Sequence, residues 1–133
     1  MNLNQDTAKK LMLVERISEI VSSLNEVIYK FINEIKKDYD SEKLNKNEVA
    51  LIESMHALLL SLNDAVDNRN DDNLDTLSLL TSDRGQVFDN LRLSSVSNDS
   101  SPQKNIMYIT NVFQRAVWLI NRWTYIEKQL LVM

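Results

Sequence analysis

One glycine, one proline, one histidine and no cysteine stand among the 133 residues, and each scarcity removes a class of protein. A β-rich fold needs a turn every eight to twelve residues or so, and those turns draw on Gly and Pro. So little of either points to an all-α fold. Without cysteine there is no disulfide, thiolate metal site or thiol nucleophile, which suits a reducing compartment, and cytoplasmic is the expected localisation. A Walker loop, a dinucleotide-binding glycine fingerprint and a His-centred triad need more Gly and His than the chain holds. Catalysis would have to rest on scattered carboxylates or arginines. The chain is therefore read as non-enzymatic, with no catalytic residue and no cofactor.

Long apolar runs are also missing. The chain starts Met-Asn-Leu-Asn-Gln-Asp and reaches Lys9 and Lys10 before any apolar stretch, so no secretory signal is expected. Later apolar stretches are interrupted well short of the roughly 20 residues that a membrane helix needs, so no direct insertion is expected. The net charge of −4 is uneven. Residues 104–133 hold Lys104, Arg115, Arg122 and Lys128 against Glu127, a net of +3, which leaves −7 on the remainder. An acidic body with a mildly basic last segment argues against nucleic acid as a partner.

What is present is helical periodicity within a length that suits one domain. The first helix is expected over 6–37, capped by Asp6, with Leu13, Ile17, Ile20, Leu24, Val27 and Phe31 on one stripe. Val14, Val21, Ile28 and Ile35 form a heptad line beside it, broad enough to meet more than one partner helix. Polar residues 37–47 end in asparagines that suit a helix cap. Helix two is expected over 47–69 on Leu51, Met55, Leu58, Leu62 and Ala65, with Ile52, Leu59 and Val66 alongside. An acidic turn follows, in which an asparagine is expected to take the left-handed conformation and Asp71 or Asp72 to cap helix three. Helix three is expected over 73–92 on Leu77, Leu80, Val87, Phe88 and Leu91, with Arg84 inside the stripe beside Gly85. A Ser/Asn/Asp-rich linker, 94–103, leads to helix four at 104–132. Short connections favour antiparallel neighbours, which predicts an up-down-up-down four-helix bundle with a long first helix.

Few residues invite site chemistry. Glu53-Ser-Met-His56 has the Glu-x-x-His step of di-iron bundles, but such a site needs a second copy and this is the sole histidine. His56 is instead expected to be a partly buried, hydrogen-bonded side chain. Glu34 with Asp38, and Asp67 with Asp71, have the spacing to share a cation, yet solvated acidic faces explain them as well, and no metal is expected. Arg84 and Arg92 are candidates for an anion contact or a salt bridge.

Helix four carries the strongest signal. Val112, Ala116, Leu119, Trp123, Ile126, Leu130 and Met133 repeat at helical spacing, and Trp118 and Tyr125 project to the opposite side with Arg115 and Arg122 beside them. Trp, Tyr and Arg dominate binding hot spots because they bury large area with few rotors and keep a polar tip. Three accounts remain open for Trp118: a partner protein or second copy covers it, helix one or the linker covers it, or it is exposed with an arginine stacked on its ring.

The segments Ser82-Asp-Arg-Gly-Gln-Val-Phe-Asp-Asn-Leu-Arg92 and Thr110-Asn-Val-Phe-Gln-Arg-Ala-Val-Trp-Leu-Ile-Asn-Arg122, together, resemble cytoplasmic helical domains of sodium/phosphate symporters, which are similar to PhoU-like regulatory bundles. The resemblance covers about a third of the chain. It implies a non-catalytic domain attached to, or acting on, a membrane transporter. PhoU's repeated acidic metal-binding motifs have no counterpart here beyond the two carboxylate pairs, so metal binding is not carried over. The function expected is a regulatory or assembly domain working through protein contacts, with a protein partner or a homodimer. Rival readings are a small helical chaperone or adaptor whose last helix masks a groove, and a ligand-binding bundle using Arg84, His56 and acids.

Overall fold

The computed structural model describes residues 3–82 and 104–133, and these form four α-helices with no strand among them. They are α1 (Leu3–Asp40), α2 (Lys46–Asp67), α3 (Asp71–Ser82) and α4 (Lys104–Leu131). Contacts between elements fix the directions. Phe31 of α1 lies against Phe113 of α4 with ring centroids 6.2 Å apart, whereas Arg16 shares a recess with Tyr125 and Gln129, so α1 and α4 are antiparallel. Asn121 Nδ2 donates to Thr81 Oγ1 over 2.8 Å, and Lys128 Nζ reaches Asp75 at 2.6 Å, so α3 and α4 are antiparallel too. Because α2 doubles back from α1 through residues 41–45, the order is up-down-up-down. The all-α four-helix bundle is as the periodicity predicts.

The turn between α1 and α2 is built differently from the one expected. Rather than stopping near Lys37, α1 continues to Asp40 and closes with Lys43 N–H donating to Asp38 O (2.7 Å) and Glu42 N–H to Tyr39 O (3.1 Å). That bond pair is a Schellman closure, which places one residue in the left-handed region. Glu42, at φ 58°, is that residue. It is the only non-glycine with positive φ among the described residues, so no asparagine of the second turn takes that role. Asn45 then caps α2, its side chain accepting from Glu48 N–H at 2.9 Å.

Two further caps differ from expectation. Asp6 is not the cap of α1, since helical geometry already runs from Leu3 and Asp6 sits in the first turn, where a carboxylate favours the positive end of the helix dipole. Asn70, not Asp71 or Asp72, caps α3: its Oδ1 accepts from Asn73 N–H at 2.8 Å, and both aspartates fall in the first turn.

One core links all four helices, and α4 is its centre. Ile109, Phe113, Ala116, Val117 and Ile120 are completely enclosed, and α1, α2 and α3 all pack on α4. By contrast α1 and α2 barely touch each other. That explains why the heptad line on α1 is only half used: Ile28 and Ile35 are partly buried, while Val14 and Val21 are exposed. On α3 the buried face is Leu74, Leu77 and Thr81, and Leu80 points to solvent. Met133, past the end of α4, is exposed rather than part of its stripe. The sequence reading of apolar runs also needs amending at α2, which by length and composition is long and apolar enough to cross a membrane, with a mean hydropathy of 1.3 over an 18-residue window. Its Leu51, Met55, Leu58, Leu62 and Ala65 nevertheless lie in the shared core.

Candidate functional site

Successive residues of α4 turn by about 100°, so Arg115, Trp118, Arg122 and Tyr125 recur on one strip as the buried residues occupy the rest of the circumference. All four are exposed. Trp118 retains 38% of its surface and Tyr125 64%. Arg122 sits one turn on from Trp118, with its guanidinium carbon 4.9 Å from the centre of the indole ring. Of the accounts left open for Trp118, full cover by α1 is excluded and the stacked arginine is present, while the linker 94–103 lies outside the described residues. Stacking on a π face holds the guanidinium flat and leaves its edge N–H groups free to donate outward.

Beside this stack α1 closes a recess of about 460 Å³ lined by Arg16, Asn121, Arg122, Tyr125, Ile126 and Gln129. Two arginines, more than a hundred residues apart in sequence, line one concavity that no carboxylate lines. Asn121 is held by its bond to Thr81. Arg16 belongs to no sequence motif. Only the antiparallel α1–α4 register brings it to Arg122, which is why sequence reasoning missed it.

A second polar group underpins the same helix. Glu127 is buried, accepts from Trp123 Nε1 at 3.0 Å through Oε1, and has Arg69 Nε 2.6 Å from Oε2. The Arg69 contact is an ion pair without hydrogen-bonding alignment, since Oε2 has no hydrogen-bond partner. A buried charge of this kind is tolerable only with its partner in place. Trp123, expected as a purely apolar stripe residue, therefore also positions a carboxylate.

The remaining candidates fare unevenly. His56 is exposed rather than partly buried, because the α2 face that meets the core carries Met55 and Leu58, which lie about 100° and 160° round the helix from it. Glu34 does not share a site with Asp38: it pairs with Lys37 at 3.0 Å, whereas Asp38 turns inward to Glu48. Asp67 and Asp71 are both exposed and belong to separate helices. Among the described residues no three acids or histidines are grouped to hold a metal ion. Arg84, Arg92 and the linker 94–103 lie outside the described residues.

Among the described residues the strongest electrostatic perturbation is at Glu48, beside Asp38. Burial pushes the Glu48 carboxyl from 4.5 up to about 8, with further upward contributions from its hydrogen bond to Asp38 and from the charge of Asp38. The Asn45 backbone N–H donates to it and works in the opposite direction. Asn45 and Glu48 thus form a reciprocal capping box in which the Glu arm is protonated at neutral pH. The pair stands at the α1–α2 turn and is a structural clasp. The chain matches no protein-family model, no curated protein and no solved structure, so the likeness to symporter domains rests on its two sequence segments alone.

Proposed function

We propose that this chain is a non-enzymatic helical-bundle domain of regulatory or assembly type, which acts by protein–protein contact through the outward strip of α4. One observation carries the reading: Trp118 is exposed on the central helix yet has Arg122 stacked on it, next to an open recess. An aromatic anchor already ordered by its neighbour loses little entropy on binding, and Trp, Tyr and Arg are the side chains that concentrate binding energy. Tyr125 and Arg115 extend the strip on either side. The partner is another protein or a second copy of this chain, since twofold self-association is the commonest form of such contacts. The resemblance to symporter domains favours a place beside a membrane transporter, on the cytoplasmic side.

Trp118→Ala tests the strip. In sedimentation of wild type and variant, alone and with a candidate transporter's cytoplasmic segments, the variant is expected to lose association while keeping its helix content. Its melting temperature is expected to fall by less than roughly 10 °C, because the covered part of the indole contributes about 1–2 kcal/mol to folding. A variant that associates as wild type does would remove the strip from the interface.

A further inference from the structure

The recess between α1 and α4 is more specific than a sticky surface. We propose that it binds a carboxylate side chain of an acidic peptide segment, held between Arg16 and Arg122, with apolar neighbours of that acid lying on Trp118 and Tyr125. This rests on the reading of α4 as a contact surface and names the partner's chemistry.

Charge comes first. The chain as a whole is acidic, but this recess is lined by two arginines and no acid. Among the described residues neither arginine is ion-paired. Two unpaired guanidinium groups beside one hollow leave a positive potential that an anion from outside relieves. Geometry adds selectivity. Held with its guanidinium carbon 4.9 Å from the centre of the Trp118 indole, Arg122 carries the donor fork that matches the two oxygens of a carboxylate. Arg16 approaches from the other helix, and Gln129 supplies a further donor.

Size and surroundings favour a peptide over a free ion. About 460 Å³ is far more than a phosphate or carboxylate fills. Tyr125 lines the recess, and Trp118 lies next to it under the guanidinium of Arg122; these exposed rings give an inorganic anion nothing and give a peptide its apolar contact.

The probe is an acetylated hexapeptide of alternating glutamate and leucine, titrated into the whole 133-residue protein at low salt, with tryptophan fluorescence and calorimetry as readouts. Its lysine–leucine counterpart and inorganic phosphate serve as comparisons. Saturable binding of the glutamate peptide is expected, weakened about tenfold or more by Arg16→Gln and by Arg122→Gln, the loss appropriate to a charge-assisted hydrogen bond. Lys43→Gln, exposed past the far end of α1 and outside both strip and recess, should leave it unchanged. Arg16→Lys should still weaken it, because the fork is lost with the charge kept. Binding that is indifferent to Arg16, equal binding of the lysine peptide, or complete displacement by phosphate at equal concentration would each overturn the proposal. Arg16 lies on α1, outside the α4 strip, so the two readings fail separately. If Trp118→Ala leaves association intact while peptide binding still needs Arg16, the recess stands without the strip, and the converse result removes only the recess.

Discussion

At Glu42 the backbone enters the left-handed region with φ 58°, where a Cβ carries a cost of roughly 1–2 kcal/mol that glycine escapes. The closing bonds from Lys43 and Glu42 need that conformation, and the exposed side chain makes no hydrogen bond or ion pair among the described residues. Glu42→Gly is therefore expected to stabilise the protein by about 0.5–1 kcal/mol, net of the extra freedom glycine has in the unfolded chain, seen as a higher urea midpoint at unchanged slope. Six residues on, Glu48 sets a pH dependence. Its folded value, about 8, lies above the ordinary 4.5, so between those limits the native state binds more protons than the unfolded one and stability falls as pH rises. The stabilising effect of the protonated carboxyl is complete below about pH 4.5 and is lost through pH 8. Glu48→Gln keeps a donor for Asp38 and an acceptor for Asn45 without the charge. Melting curves from pH 5 to 9 should show wild type losing stability and the variant staying level, with the variant the more stable at pH 9. None of this was visible in the sequence. Asn45-x-x-Glu48 is a legible capping pattern, but burial of its carboxyl against Asp38 depends on the tightness of the turn.

At the scale of the element, α4 explains both what was legible and what was not. Its periodicity located Val112, Ala116, Leu119 and Ile126 in the core, and they are buried. The same pattern suggested one buried stripe. In fact Ile109, Phe113, Val117 and Ile120, on the neighbouring line, are as completely enclosed as Ala116, because three helices surround α4 instead of one or two. A helix in that position must be apolar around most of its circumference, and the strip from Arg115 to Tyr125 is the part left over. Position on the wheel therefore divides the aromatic residues sharply. Phe113→Ala should cost about 3–5 kcal/mol, the usual range for a buried Phe left as a cavity, and Tyr125→Ala should stay within roughly 0.5 kcal/mol. Paired urea denaturation of the two variants makes the comparison directly. Elsewhere the misplacement has a similar origin: on α3, Leu80 is apolar but exposed, and Thr81 is polar but buried, because Thr81 satisfies its hydroxyl by donating to Leu77 O at 2.9 Å and accepting from Asn121.

For the whole molecule, topology was readable from short connections, but the unequal sharing of contacts was not. Every helix meets α4, and the seam between α1 and α2 stays open, with an apolar hollow of about 310 Å³ lined by residues such as Phe31, Ile35, Tyr39 and Ile52. This centrality bears on the rival in which the last helix is a releasable mask over a groove. Releasing α4 would expose five completely enclosed side chains, separate Phe113 from Phe31, and strand Glu127 away from Arg69. No groove would survive, since the other three helices have few contacts among themselves apart from those of α2 with α3. Local opening needs a segment with little buried apolar contact. Residues 109–127 are the reverse. Native-state hydrogen exchange should accordingly find the slowest amides of the chain in this stretch, opening with the free energy of global unfolding. The first two turns of α1, where every described side chain from Asn4 to Met12 is exposed, should exchange by local fraying. If amides at 109–127 exchanged ahead of those in the middle of α1, helix release would be restored as the mechanism, and the fixed strip on α4 would lose its rigid support.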